Sequence, residues 1–272
     1  MKVNIIIGGF QKCGTTALHS FLSNHPKVIG SKPKELNFFD SELNFKRGED
    51  YYHSFFDRKP KLYKIRGFKF LESSPSYISF RNSEKISERI YKYNNKMKII
   101  CLVRDPINRA FSAWNMFKNR YESGNSEWWI NWVLERNGKI PDQLIRRTND
   151  EYESFELFIQ NEIRAINEDR NIECPILNRG IYFHGISVYR KMFGENMIVL
   201  KNENLNEDTP KVLITISNFI GLEEFNWNKF QNQKVYEGSY SEKPDTSTVN
   251  FLTDYYREPN KMLYDLTGIN YL

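Results

Sequence analysis

A lysine, a glycine and two threonines follow the first apolar run of the chain and could together bind a phosphate group. The segment Ile5–Pro26, IIIGGFQKCGTTALHSFLSNHP, passes from a strand-like run through a glycine-containing loop into a helical pattern. Such a junction directs free backbone N–H groups and the positive end of the helix dipole at one point. The glycine spacing matches a nucleotide-binding P-loop, but Thr15 stands where that loop has its lysine, and Lys12 lies two residues before Gly14. The segment therefore predicts an anion site at Lys12, Gly14, Thr15 and Thr16; a tight turn capped by Thr15 is the alternative.

A second group of polar residues lies in VRDPINRAFSAW, residues 103–114. Asp105 and Pro106 suit the N-cap and the first position of a helix. Arg104 ends an apolar run at what should be the carboxyl edge of a sheet, where open α/β folds bind ligands, and its guanidinium suits a phosphate. Ser112, two turns into the helix, could donate a hydroxyl to the same group. The alternative is an arginine that pairs with a neighbouring carboxylate.

The apolar run Met97–Val103 is followed by Arg104. A kinase or NTPase has an aspartate there, with which it holds magnesium. Both departures from the NTPase pattern indicate a phosphorylated nucleotide that is bound by cations and amides without magnesium. A P-loop nucleotide kinase remains an alternative, and it would need magnesium and a carboxylate near Arg104.

Strand and helix patterns alternate along the chain, which predicts an α/β fold with a P-loop-like three-layer arrangement, a central parallel sheet flanked by helices. Continuous apolar runs predict strands: Val3–Ile7, Phe68–Leu71, Met97–Val103 and Met197–Leu200. Helical patterns cover the segments between them: Thr16–Ser23, Ser83–Tyr93, Pro106–Arg120, Phe155–Asn167, Ile181–Phe193 and Pro210–Ile220. We expect a single domain over residues 1–272, with a helical insertion at about 122–150.

Composition narrows the classes of function. The 272 residues are 40% apolar and 15% aromatic, enough for a sizeable core, and the formal charge of +5 is too dispersed for a nucleic-acid-binding stripe. No stretch approaches the roughly 20 apolar residues of a membrane span. The three cysteines show no zinc-binding spacing. We therefore expect a cytoplasmic protein without nucleic-acid partners.

The motifs together resemble a sulfotransferase that uses 3′-phosphoadenosine 5′-phosphosulfate (PAPS). KCGTTAL is similar to the family's 5′-phosphosulfate loop, and RDPINRAFSAW is similar to its 3′-phosphate motif. SKPKELNFFD, residues 31–40, resembles a stretch of the heparan-sulfate and bacterial carbohydrate branch. Weaker matches follow in the family's order: LESSPSYI, RGIYFHGISVYRKMFG and DYYREPNKMLYDLTG. The resemblance therefore covers nearly the whole chain.

The resemblance implies roles for individual residues. Lys12 would stabilise charge on the leaving group. It would also bind the 5′-phosphosulfate together with the other residues of the loop and the first helical turn: Cys13, Gly14, Thr15, Thr16 and Ala17. Arg104 and Ser112 would bind the 3′-phosphate. Glu35 would be the general base that takes the acceptor's proton. Its alternative is a surface glutamate beside Lys34.

Other positions have weaker assignments by the same resemblance. Residues near the acceptor would be Lys34, His53, Tyr182 and His184. A late glycine-containing loop would close over the nucleotide with Lys234, Gly238 and Tyr240, and a surface loop is the alternative. One departure is Ser73, because heparan-sulfate enzymes often have a lysine directly after the glutamate that corresponds to Glu72.

The sequence thus predicts transfer of a sulfuryl group from PAPS to an acceptor hydroxyl, with 3′-phosphoadenosine 5′-phosphate (PAP) as product and no metal in the chemistry. A carbohydrate acceptor is favoured over a small natural product or a lipid. A non-catalytic glycan-binding module of the same fold is the alternative from another class. Aromatic residues such as Tyr52 and Trp129 could stack on sugar rings or pack in the core. The oligomeric state is not predicted.

Overall fold

The structure is a computed structural model that describes residues 2–57, 67–78, 82–231, 233 and 243–272. The chain forms two compact units. The first consists of Met1–Asp40, Asn44–Arg104 and His184–Glu237, and the second of Ser41–Leu43, Asp105–Phe183 and Gly238–Leu272. The expectation of a single domain over residues 1–272 stays a prediction.

The first unit contains a five-stranded parallel sheet. Its strands are β1 (Ile5–Gly9), β2 (Val28–Gly30), β3 (Lys69–Ser73), β4 (Lys98–Val103) and β5 (Met197–Lys201). Their order is β2-β3-β1-β4-β5, and every neighbouring pair is parallel. The central strand β1 is buried along its whole length, which is why its sequence is apolar without alternation. The predicted α/β fold with a central parallel sheet flanked by helices is confirmed.

Helices occupy the segments between and after the strands. In the described residues they are α1 (Thr15–Leu22), α2 (Glu42–Phe45), α3 (Gly48–His53), α4 (Ser83–Tyr93), α5 (Pro106–Glu122), α6 (Trp128–Asn137), α7 (Asn149–Glu153), α8 (Phe155–Asn167), α9 (Phe183–Phe193), α10 (Asn202–Glu207), α11 (Thr209–Ile220) and α12 (Thr246–Thr267). Short 3₁₀ turns cover Pro75–Ile78, Asn178–Gly180, Gly194–Asn196 and Trp227–Phe230. None of these helices is long and apolar enough to cross a membrane. The six helices predicted from the sequence correspond to α1, α4, α5, α8, α9 and α11, with ends that differ by at most two residues.

Strand order determines where ligand-binding loops can lie. From β1 the chain passes to β2 and β3 on one side of β1, whereas β4 and β5 lie on the other side. The carboxyl ends of β1 and β4 are therefore a topological switch point, the place where open α/β sheets leave a crevice for ligands.

The second unit has its own apolar core, which lies around α5. The buried side chains include Trp114, Phe155, Phe158 and Tyr256. Trp129 belongs to this core and is 6% exposed, so packing, and not sugar stacking, is its role. The predicted insertion at 122–150 contains α6.

A fully buried arginine connects three segments of the second unit. The Arg147 guanidinium donates to Glu151 Oε1 (2.7 Å), Glu162 Oε2 (3.2 Å) and the Phe158 carbonyl (2.7 Å). Glu162 in turn accepts from the backbone amide of Ile176 at 2.9 Å. Burial raises the pKa of Glu162, and the nearby charge of Arg147 opposes this rise. The hydrogen bonds shared by the three charged residues offset part of the cost of removing them from water.

Replacing Arg147 by leucine should lower the free energy of unfolding by about 3–5 kcal/mol, because Glu151 and Glu162 would remain as buried charges without their partner. Urea denaturation followed by circular dichroism measures this. The matched control is Arg170→Leu, since Arg170 forms an exposed pair with Glu168 at 3.3 Å and its loss should cost less than about 1 kcal/mol. Equal losses in the two variants would contradict a structural role for the buried network.

Candidate functional site

The loop between β1 and α1 has an unusual backbone that its glycines permit. Gly9, Lys12 and Gly14 have positive φ angles of 122°, 69° and 87°. A Cβ atom on Gly9 would lie 2.8 Å from the carbonyl oxygen of Leu102 in the neighbouring strand. A Cβ atom on Gly14 would lie 2.1 Å from Asn202 Oδ1. Both positions therefore require glycine, and the loop is held tightly against β4 and α10.

Helix α1 begins directly after this loop with its amino end open to a ligand. Its N-cap is Gly14, which has no side chain to accept from the first amides. The first turn contains Thr15, Thr16 and Ala17 and no acidic residue. The helix dipole and the amides of this turn are therefore available to an anion. A phosphate group fits this end of the helix.

The amide of Cys13 has a different partner from the one that the sequence predicts. It donates to the carbonyl of Phe10 at 3.2 Å and closes a turn within the loop. The thiol of Cys13 is fully buried. The role of Cys13 in phosphate binding stays a prediction.

Arg104 lies where the sequence places it, directly after β4. Its Nη1 donates to the carbonyl oxygen of Lys12 at 3.3 Å. Since β1 and β4 are neighbours in the sheet, this hydrogen bond brings two of the predicted cationic residues together at the carboxyl edge. The arginine therefore adds positive charge beside the loop.

Lys34 connects the predicted base to the amino end of α1. Its ammonium group donates to Glu35 Oε1 at 2.6 Å and to Thr15 Oγ1 at 3.4 Å. The Lys34 side chain is 18% exposed, whereas the Glu35 side chain is 45% exposed. A solvent-accessible carboxylate thus lies next to the anion site, although the two are 20 residues apart in the sequence.

A buried carboxyl group, Glu72, lies behind the Glu35 loop at the end of β3. It accepts from the Leu36 amide at 3.4 Å and from Ser74 Oγ at 2.5 Å. Burial raises the pKa of Glu72 to about 8, and the hydrogen bond from Ser74 opposes this rise. The group is therefore mostly protonated at neutral pH. Glu72 was not among the residues predicted for the site. The signal that could have identified it is a glutamate at the carboxyl end of an apolar strand.

His19 approaches the same region from α1. Its Nδ1 is hydrogen-bonded with Ser73 Oγ at 2.7 Å. Burial, with a smaller contribution from the Lys34 charge, lowers the pKa of His19 to about 4. The imidazole is therefore neutral at physiological pH. The hydroxyl of Ser73 thus pairs with an uncharged ring.

Two predicted acceptor-side histidines lie elsewhere in the first unit. His53 Nε2 is 2.8 Å from the Tyr93 hydroxyl, which also accepts from the Val3 amide just before β1. His53 is thus at the amino edge of the sheet, opposite the Lys12 loop, and its position gives no support to acceptor binding. His184 Nε2 lies 3.3 Å from Glu84 Oε1 in the first turn of α4; its role stays a prediction.

The remaining predicted site residues lie in the second unit or outside the described part of the chain. Ser112 on α5 and Tyr182 are buried residues of the second unit, and their roles stay predictions. The late-loop residues lie outside the described residues: Lys234, Gly238 and Tyr240. Tyr52 is fully buried in an aromatic cluster, with its ring stacked 4.5 Å from Phe38, which excludes the open sugar platform that the sequence allowed.

Two relatives are similar to this chain in amino-acid sequence. The chain is 33% identical over 124 residues to heparan sulfate glucosamine 3-O-sulfotransferase 5 of Mus musculus, a match that covers 46% of this chain and 33% of the relative. It is 25% identical over 287 residues to bifunctional heparan sulfate N-deacetylase/N-sulfotransferase 3 of Homo sapiens, covering 96% of this chain and 29% of the relative. The matches thus span about a third of the length of these two relatives.

A solved structure shows the same fold. The sulfotransferase from Alicyclobacillus acidocaldarius superimposes with a TM-score of 0.67 over 99% of this chain and 97% of that protein, at 22% sequence identity. The family described as the sulfotransferase domain matches residues 2–253. This protein therefore belongs to the sulfotransferase domain family, as its sequence motifs predicted.

Proposed function

We propose that this protein transfers a sulfuryl group from PAPS to a hydroxyl group of a carbohydrate, with Glu35 as the general base. The observation that carries the proposal is the position of Lys34, whose ammonium group contacts both Thr15 at the start of α1 and the Glu35 carboxylate. An anion-binding helix end and a base are thereby neighbours, which transfer from an anionic donor to a hydroxyl requires.

The donor's 5′ end fits the amino end of α1. In the proposed complex, the amides of Thr15, Thr16 and Ala17 and the Lys12 ammonium group bind the phosphosulfate. PAPS would supply a sulfuryl group that is already activated by its bond to phosphate. Lys12 stabilises the negative charge that develops on the phosphate side as that bond breaks. Lys34 adds a second positive charge between this helix end and the base.

One proton is transferred in the reaction, and Glu35 accepts it. The Glu35 carboxylate accepts the proton of the acceptor hydroxyl while the oxygen attacks sulfur, so the proton ends on Glu35. The 45% exposure of the Glu35 side chain lets an acceptor reach it from solvent. His19, whose pKa is lowered to about 4, is bound to Ser73 and is not required as a base.

Two further parts of the proposal rest on resemblance. Arg104 binds the 3′-phosphate, in keeping with its place beside the Lys12 loop, and Ser112 assists it. The names of the two relatives, both enzymes of heparan sulfate, support a carbohydrate acceptor. A small natural product or a lipid is the alternative acceptor, and an acceptor screen distinguishes them.

Calorimetric titration tests the donor site. Wild type should bind adenosine 3′,5′-bisphosphate more tightly than adenosine 5′-monophosphate, because Arg104 adds a charge-assisted hydrogen bond to the 3′-phosphate. Arg104→Ala should weaken bisphosphate binding by about 10- to 100-fold, the effect of one hydrogen bond to a charged group, and should leave monophosphate binding within about threefold.

Equal weakening for both ligands would instead assign Arg104 to loop support through the Lys12 carbonyl. Preference for ATP with magnesium over the bisphosphate would favour a nucleotide kinase and overturn the PAPS assignment. The difference between the two adenosine ligands thus isolates the contact with the 3′-phosphate.

Replacing Glu35 by glutamine tests the base. The variant should lose about 10²- to 10⁴-fold in kcat, the usual contribution of a general base, and should keep wild-type affinity for the bisphosphate. Radiolabelled transfer from PAPS to heparosan oligosaccharides and to small hydroxylated compounds measures kcat. Glu49→Gln is the matched control, since Glu49 is an exposed glutamate on α3. Its charge contributes to raising the pKa of Tyr93, which lies at the amino edge of the sheet.

Loss of activity in both glutamate variants would contradict a specific role for Glu35. Bisphosphate binding without turnover on any acceptor in wild type would favour the non-catalytic glycan-binding module. Turnover on the small compounds alone would keep the reaction and replace the carbohydrate acceptor.

A further inference from the structure

Four consecutive backbone amides after Glu35 are bound by side chains from one distant segment. The segment is residues 72–77, at the end of β3 and in the 3₁₀ turn that follows it. The hydrogen bonds run from Leu36 N to Glu72 Oε1 (3.4 Å), from Asn37 N to Ser74 Oγ (3.0 Å), from Phe38 N to Tyr77 Oη (2.8 Å) and from Phe39 N to Tyr77 Oη (3.3 Å). The loop that carries the base is thus fixed through its backbone.

The three accepting side chains form a connected and fully buried group. Glu72, Ser74 and Tyr77 are each 0% exposed. Ser74 Oγ donates to Glu72 Oε1, and the carbonyl of Tyr77 accepts from the Tyr189 hydroxyl at 2.7 Å. Because a buried polar group without a partner is costly, each acceptor favours the one loop position that satisfies it. The segment therefore defines a single backbone path for residues 36–39.

We propose that Glu72, Ser74 and Tyr77 are positioning residues that fix the Glu35 carboxylate for proton transfer. The inference rests on the proposed function of Glu35 and adds the part of the chain that orients it. Glu35 is half-exposed, and its carboxylate contacts the ammonium group of Lys34. The backbone on the amino side of Glu35 is held by the hydrogen bond from Ser31 Oγ to the Lys34 carbonyl (3.0 Å), and the four amides on its carboxyl side complete the support of the loop. A displacement of about 1 Å in a catalytic group can lower the rate about 100-fold.

The neutral state of the Glu72 carboxyl suits this task. The groups that face it are Asp40, Tyr52, Tyr77 and Tyr189, all acidic or uncharged. Its Oε2 atom is buried without a hydrogen-bond partner. A protonated carboxyl still accepts through Oε1, so it binds the Leu36 amide without placing a second negative charge behind Glu35.

A pair of tyrosine variants tests the proposal. Tyr77→Phe removes the acceptor of two loop amides, whereas Tyr52→Phe removes a buried hydroxyl without a hydrogen-bond partner in the same aromatic cluster. We expect Tyr77→Phe to lower kcat at least 10-fold with unchanged affinity for adenosine 3′,5′-bisphosphate. Tyr52→Phe should stay within about twofold of wild type.

A second pair at Glu72 covers the case in which Tyr77→Phe unfolds. Glu72→Gln keeps an oxygen that can accept from the Leu36 amide, and Glu72→Leu does not. The glutamine variant should keep kcat within about threefold of wild type, whereas the leucine variant should lose at least 10-fold. Equal kcat values within either pair of folded variants overturn the positioning role.

Hydrogen exchange of the amides of residues 36–39 gives a readout that needs no activity. Exchange should accelerate at least 10-fold in Tyr77→Phe and remain at the wild-type rate in Tyr52→Phe. Unchanged exchange in Tyr77→Phe contradicts the positioning role even if wild type has no turnover. Absent turnover in wild type with accelerated exchange in Tyr77→Phe contradicts the proposed function alone.

Discussion

The parallel pairing of β1 with β4 is the constraint on which the rest of the site depends. It places two carboxyl ends side by side, so that the loop after β1 and Arg104 after β4 meet. The close approach is possible because Gly9 lies against the backbone of Leu102, where a side chain has no room. A positive loop, an arginine and an open helix end are thereby concentrated at one edge of the sheet, where they can act on the same anion.

A second constraint brings a negative group to this positive region. The Glu35 loop follows β2, an edge strand, and would be free to move if only its side chains held it. Its amides instead bond to residues after β3, the strand between β2 and β1. Lys34 then bridges the carboxylate and the start of α1. The sheet thus determines the geometry of both partners of the proposed reaction.

Much of the fold could be predicted because its central strands are continuous apolar runs. β1 and β4 are buried, and their sequences show this directly. β2 was missed because three residues, two of them only half-buried, give no recognisable period. α12 was not predicted from its pattern; Pro259 within it is a residue that usually ends a helix.

The sequence predicts those parts of the candidate site whose residues stand next to a strand end within one short motif. Lys12 and Arg104 stand next to strand ends, so topology alone brings them together. The hydrogen bonds from residues 36–39 to Glu72, Ser74 and Tyr77 join residues more than 30 positions apart in the sequence. Neither segment contains a pattern that predicts its contact with the other. Backbone donors leave no trace in side-chain identity, which is why Glu35 could be predicted as the base from the sequence whereas the residues that bind its loop could not.

The buried thiol of Cys13 is a chemical reporter of the loop between β1 and α1. The side chain lies between Lys12 and Gly14 in sequence and is inaccessible in the closed loop. An alkylating reagent can reach it only when the loop opens, so the rate of modification measures the frequency of opening. A ligand that holds the loop shut slows that reaction, so the rate of Cys13 modification reports whether a ligand occupies the loop.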